Sequence, residues 1–321
     1  MTVETVTTQA TVRGPAAPSD PAAPPPPAAA SLSPSRAADF KTCPLLYRFR
    51  SIDRLPERPT VDQARGTLVH AVLERLFDLP AEQRTPDAAG GLVSPQWDRL
   101  MAEQAELAGL FTAEDTAGPA EFIASARGLL DGYFTVEDPR RLEPAERESL
   151  VSTVVDDQLL IRGYIDRLDV SPSGALRVVD YKTGGAPREA FEARALFQLK
   201  FYALVLWRTR GVVPRVLRLL YLKDAEICDY TPDADELVRF ERTVLALWRA
   251  IEQATLARDF RPKPSRLCGW CSHQALCPTF GGTPPPFPEP AAHPDPAAHP
   301  DPAAEATAGP LADPPHTRGD E

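Results

Sequence analysis

The sequence predicts an α/β (α+β) fold with a mixed central sheet flanked by helices. Three observations predict it. Helical periodicity prevails up to about residue 134. Three Val-, Ile- and Leu-rich runs with strand character follow at 146–155, 158–170 and 175–182. Helix and strand signals then alternate to about residue 258.

The elements follow in order. Ser33 and Pro34 read as a cap and first position of a helix that runs toward Arg50 with a break near Pro44. Residues 65–77 place Leu68, Val69, Val72, Leu73, Leu76 and Phe77 at helical spacing. Residues 95–134 read as mostly helical, interrupted near Gly118-Pro119, within a helical insertion over about 80–140. Asp156-Asp157 turns the first strand into the second, and 171–174 turns the second into the third. A long helix at about 189–209, strands near 215–223 and 226–230, and a helix at about 233–258 complete the pattern.

The folded domain is expected to span 31–280. Residues 1–30 hold 7 of the 36 prolines and 281–321 hold 12, so both ends read as disordered Pro/Ala-rich tails. The second tail repeats Ala-Ala-His-Pro-Asp-Pro in tandem over 291–302, which is low complexity rather than a solenoid. The net charge of −10 comes mostly from these tails, since 31–280 carries 33 Lys+Arg against 36 Asp+Glu. That balance excludes a basic sheath, so any affinity for nucleic acid must come from local patches and bound metal. No run of 18 apolar residues suggests a membrane span, and Met-Thr-Val-Glu-Thr lacks the features of a secretory signal. A cytoplasmic location and cysteines kept as thiols or metal ligands are the expectations.

Chemistry concentrates in the strand hairpin. Alternation puts Leu176, Val178, Asp180 and Lys182 on one face. A three-residue loop, Pro172-Ser173-Gly174, with Gly174 left-handed, would pair Ser171 with Ala175 and set Asp166 opposite Asp180. Facing carboxylates repel unless a cation sits between them, and paired oxygen ligands suit Mg²⁺ or Mn²⁺. A lysine two residues on can orient the attacking water and steady developing negative charge. An isolated Asp-x-Lys is more often a solvated strand face. The combination with the upstream acid and the trailing Thr-Gly is what singles it out.

These residues resemble the RecB-like branch of the PD-(D/E)XK nuclease superfamily, including stand-alone RecB-family exonucleases, the AddB nuclease domain and CRISPR-associated adaptation nucleases. Gly163-x-x-Asp166-Arg167 is similar to the first acidic motif, and Asp180-Tyr-Lys182-Thr-Gly184 to the Asp-x-Lys motif. Gln198-x-x-x-Tyr202 is similar to the Gln-x-x-x-Tyr motif, and Gly66-x-x-x-His70 to the upstream helix with a metal-ligating histidine. The resemblance implies a restriction-endonuclease-like core. It also implies a divalent ion on His70, Asp166 and Asp180, with Lys182 at the water and Gln198 and Tyr202 in support. Glu148 is a secondary candidate acid, while Arg167 and Asp169 read as structural.

Cys268-Gly-Trp-Cys271 and Cys277 form a compact group of three, which Cys43 would complete from more than 220 residues upstream. Zn²⁺ is the generic expectation for four thiolates, usually as two local pairs. The split of one and three is the arrangement that the resembling nucleases use for a [4Fe–4S] cluster, implying a clasp between the two ends of the domain. A thioredoxin-like pair would sit before a helix in a βαβ unit, which this one does not. Cys228 reads as a buried bystander, and His273 is not counted among the ligands.

Arg36, Lys41, Arg48 and Arg50 lie near the first cysteine and Arg261, Lys263 and Arg266 near the others, a candidate patch for DNA phosphates. Tyr47, Phe49 and Trp270 are candidates for stacking on bases. The expectation is thus a metal-dependent DNA nuclease, an exonuclease on single strands or duplex ends. The alternative is a silent DNA-binding scaffold, or a subunit active only with a helicase. The chain has no phosphate-cradling Gly-x-x-x-x-Gly-Lys-Ser/Thr sequence, so a helicase would be a separate partner.

Overall fold

The computed structural model describes residues 31–111, 118–186 and 192–288. The expected tail 1–30 and most of the tail 281–321 lie outside the described residues. Strand β1 is Ser31–Leu32 and helix α1 is Pro34–Thr42. Ser33 caps α1 by accepting the Arg36 amide, with Pro34 pre-set at the first position. Helix α1 stops at Cys43, extended at φ −160°, because a residue before proline is pushed out of helical geometry. Helix α2, Pro44–Tyr47, resumes and widens into a π-helical turn at Arg48–Ile52.

Helix α3, Val61–Leu76, opens with a reciprocal cap between Thr60 and Gln63. Its first three residues are exposed, so apolar periodicity alone starts it too late. Helix α4, Pro86–Glu103, begins nine residues before the expected 95, capped by Thr85. The break expected at Gly118-Pro119 instead follows α4, and Gly118 opens helix α5, Gly118–Val136. Proline fits there because the first helical turn has no intrahelical acceptor for its missing N–H.

Strands β2, Glu146–Val155, and β3, Leu159–Val170, join through Asp156 and Asp157, both left-handed. Strand β4 is Leu176–Lys182, helix α6 Glu192–Arg210, strands β5 and β6 Val216–Tyr221 and Glu226–Tyr230, and helix α7 Ala234–Ala257. The sheet is mixed. β2 runs antiparallel along one edge of β3. On the other edge β1 pairs parallel at Leu160 and Ile161, and β4 antiparallel from Arg167 onward. β4 and β5 are parallel, as the α6 crossover requires, and β6 closes the order antiparallel.

Helices cover both faces. Leu176 and Val178 pack with α1, α6 and α7, while their neighbours Val179 and Tyr181 face α3, α4 and α5. The sheet is thus flanked by helices as expected, and Leu176 and Val178 share a face as the alternation of this strand requires. The first and last described segments meet beside it. Lys263 N–H donates to Cys43 Sγ (3.3 Å), and Phe260 stacks between Tyr47 and Phe287. Residues 281–288 therefore pack on the domain rather than starting a tail, with the Pro285 carbonyl accepting from Arg48. Among the described residues no helix is long and apolar enough to cross a membrane.

Candidate active site

The hairpin has the loop that its chemistry requires. Gly174 is left-handed (φ 80°), and Ser171 N–H donates to the Ala175 carbonyl at 2.9 Å. Pairing runs from Val170 with Leu176 to Arg167 with Val179, and the same register carried one step further sets Asp166 across from Asp180. There the ladder stops. Tyr181 N–H donates to Asp166 Oδ2 (2.8 Å), so a side chain replaces the backbone acceptor.

The β2–β3 ladder is interrupted at the same level. Arg147 pairs with Arg167 and Ser149 with Ile165, while Glu148, between them, is left-handed at φ 42°. A left-handed glutamate is strained and persists only where its surroundings impose it. The consequence is a slip in alternation. Ile165 and Leu168, three apart, both face α1, α6 and α7, and Arg147 turns instead toward Asp78 beyond α3. Asp166 and Glu148 sit at the slip itself.

Helix α3 brings His70 to this point. Its Nε2 lies 2.9 Å from the Tyr181 carbonyl, which can only accept, so Nε2 carries the proton. Nδ1 then faces Asp166 at 3.5 Å and Glu148 at 3.7 Å. One ligand atom from each of His70, Glu148 and Asp166 falls within 4.8 Å of the others. Gly66 permits the approach, since a Cβ there would stand 3.2 Å from Thr183 Oγ1. Burial, reinforced by Asp180 and Glu148, pushes the Asp166 carboxyl up to about 7 against the pull of His70. Burial alone would lower His70, but Asp166 and then Glu148 overcome it and raise the imidazole to about 9.

A second chain of contacts comes from α6. Lys182 Nζ lies 2.5 Å from Asp180 Oδ2 and donates to Gln198 Oε1 at 3.0 Å. Gln198 Nε2 in turn donates to Tyr202 OH at 3.0 Å. Tyr202 packs on β3 where Gly163 leaves room, as a Cβ there would stand 2.7 Å from the ring. Asp180 thus pairs with Lys182, outside the close group that Glu148 completes.

A family model for the PD-(D/E)XK nuclease superfamily matches residues 31–278. The chain belongs to that superfamily. It is therefore a nuclease of the hydrolase class. The Gene 69 proteins of Mycobacterium phages D29 and L5 are 27% and 24% identical to this nuclease, over 77% of its length and 96% of theirs. A crystal structure of a Eubacterium rectale protein provisionally named an exonuclease covers 75% of this chain and 86% of its own, at 11% identity and TM-score 0.47.

The nuclease brings its cysteines together as well. Cys43, Cys268, Cys271 and Cys277 line one cavity of about 320 Å³. Cys268 Sγ accepts the Ser265 amide, as Cys43 Sγ accepts that of Lys263, both at 3.3 Å. Cys228 is half-buried at the edge of the core, and His273 is buried and paired with Glu57 at 2.7 Å.

The expected basic patch is smaller than its sequence suggests. Arg48 pairs with Asp53, and Arg50 with Asp39 and Glu57. Lys41 and Lys263 remain neighbours, and burial followed by Lys263 lowers the Lys41 pKa. Tyr47 and Phe49 are buried core residues, so of the three stacking candidates only Trp270, 89% exposed, is accessible to a base.

Proposed function

We propose that this chain is a divalent-metal-dependent deoxyribonuclease. It would act as an exonuclease on single strands or duplex ends, in DNA repair or recombination, in the cytoplasm. The observation that carries this reading is the convergence of His70, Glu148 and Asp166, with Asp180 and Lys182 beside them. Carboxylate oxygens suit Mg²⁺ or Mn²⁺, and His70 Nδ1, which faces the same acids, would offer its lone pair once an ion displaces its proton. Crowding of buried carboxyls is also what a cation relieves. An ion held there would supply charge stabilisation for the phosphate oxygens and an acidified water.

The protein's own groups do the rest. Asp166 is fixed by the Tyr181 amide and His70 by the Tyr181 carbonyl, so the backbone of one residue would set two of the ligands. Asp180 is the further metal ligand expected from the resemblance. Lys182, steadied by Gln198 and through it by Tyr202, points an ammonium at the reaction centre. There it would orient the attacking water and offset the charge that develops on the phosphate.

We also propose that Cys43, Cys268, Cys271 and Cys277 hold a [4Fe–4S] cluster that joins the ends of the domain. A zinc tetrahedron needs sulfurs roughly 3.8 Å apart, given Zn–S near 2.3 Å. These four line a shared cavity of about 320 Å³, more room than a single ion takes. Amide donors to two of the sulfurs favour thiolates. Brown colour with broad visible absorbance is expected from anaerobically purified protein. Colourless protein with bound zinc would reject the cluster.

The function is tested with end-labelled DNA and Mg²⁺, comparing wild type with Lys182→Ala. Equal cleavage rates would remove the mechanism. Binding without cleavage, or cleavage only after a helicase is added, would favour the scaffold or subunit alternative.

A further inference from the structure

Next to the acid–histidine group lies a cavity that hydrolysis alone leaves unexplained. It occupies about 240 Å³ between α3 and α4 and shares His70 and Glu148 with that group. Whatever fills it must lie close to the phosphate under attack. Its walls include Leu100, Gln96 and Gln104. The two glutamine amides have no hydrogen-bond partner among the described residues.

Charge decides what the cavity can take. Beyond His70 and Glu148, which belong to the proposed ion site, Glu74 and Glu103 line it, and its arginine, Arg99, is held by Glu103 at 2.7 Å. A phosphate would be repelled from this part of the cavity. An uncharged planar heterocycle with donors and acceptors on its edge is the part of a nucleotide that suits these walls, and glutamine amides pair with such edges.

We infer that this cavity receives the nucleobase beside the scissile phosphate, with Gln96 and Gln104 reading its edge. The inference rests on the nuclease reading above and adds to it a residue-level source of sequence preference. A strand running across the sheet would then turn one base into the cleft between α3 and α4.

The test measures the affinity of Lys182→Ala protein in Mg²⁺ for single strands carrying one abasic site, stepped along the sequence. Affinity is expected to fall at one position only, by roughly fivefold to 150-fold, the discrimination of one well-read base. Thr67→Phe, at the exposed rim, is expected to lower affinity for the intact strand to the abasic level and to flatten the scan. Gln104→Ala is expected to weaken the dip without moving it. A flat scan with the native rim, or a dip that Thr67→Phe leaves unchanged, would overturn the inference. Wild-type cleavage of the same strands judges the nuclease reading separately. Cleavage with a flat scan keeps the enzyme and discards the pocket, and a dip without cleavage does the reverse.

Discussion

Asp166 and Arg167 are neighbours on β3, yet each anchors a different kind of buried charge cluster. Arg167 is fully buried, and all five of its N–H donors are used, on Glu137, Asp169 and the Tyr181 hydroxyl. Arg177 adds a second cation to Asp169. The Asp166 cluster is left in deficit. Three acids, Asp166, Glu148 and Asp180, face His70 and Lys182, and the strand geometry that holds them is strained. The comparison teaches how to tell structural from functional charge. A closed cluster satisfies itself, whereas an open one is arranged for something that arrives later.

The sharpest way to break the contrast is to open the closed cluster. Arg167→Ala would strip Glu137 of its close partner and leave Asp169 to Arg177 alone, and denaturant unfolding is expected to show a loss of about 3–5 kcal/mol. A loss below 1 kcal/mol would mean that the cluster is not closed as described. Lys182→Ala should do the opposite, lowering cleavage by about 10²- to 10³-fold while the melting temperature changes little.

The ion-free protein offers a pH test. Asp166 and His70 both have folded pKa values raised above their ordinary ones, to about 7 and about 9. The folded state therefore binds more protons than the unfolded state between about pH 4 and 9, and stability in EDTA should fall as pH rises through that span. The favourable protonation of His70 is fully present below its ordinary value of 6.5 and lost through 9. An ion must displace these protons, so the melting shift produced by Mn²⁺ should widen from pH 6 to pH 9. A shift that narrows would place the ion elsewhere. The smallest effect is expected from Asp166→Asn in EDTA at pH 8. The amide still accepts from Tyr181 while one crowded charge goes, so stability should hold or rise by about 1 kcal/mol even as cleavage is lost.

Much of this was legible in the sequence because local chemistry enforces it. Gly174 fixes the loop, the loop fixes the register, and the register aligns Asp166 with Asp180. Lys182 was readable from alternation, whereas Gln198 and Tyr202 stood out only through their likeness to a family motif, since their spacing alone reads as an ordinary amphipathic helix face. Glu148 was only a secondary candidate, because regular alternation gives no warning of a slip imposed by a left-handed residue. The basic patch was overread for a different reason. Asp39, Asp53 and Glu57 neutralise Arg48 and Arg50 through folding of the terminal segment, which charge counting cannot see.

The pairing of Lys263 with Cys43 also orders events in time. Its two residues are 220 apart in the chain, so the opening helices leave the ribosome long before the segment that covers them exists. At bacterial or eukaryotic synthesis rates that interval is roughly 11 to 44 s. During it Leu45, Tyr47 and Phe49 lack part of the surface that buries them, and a nascent chain halted before residue 263 would present them to chaperones.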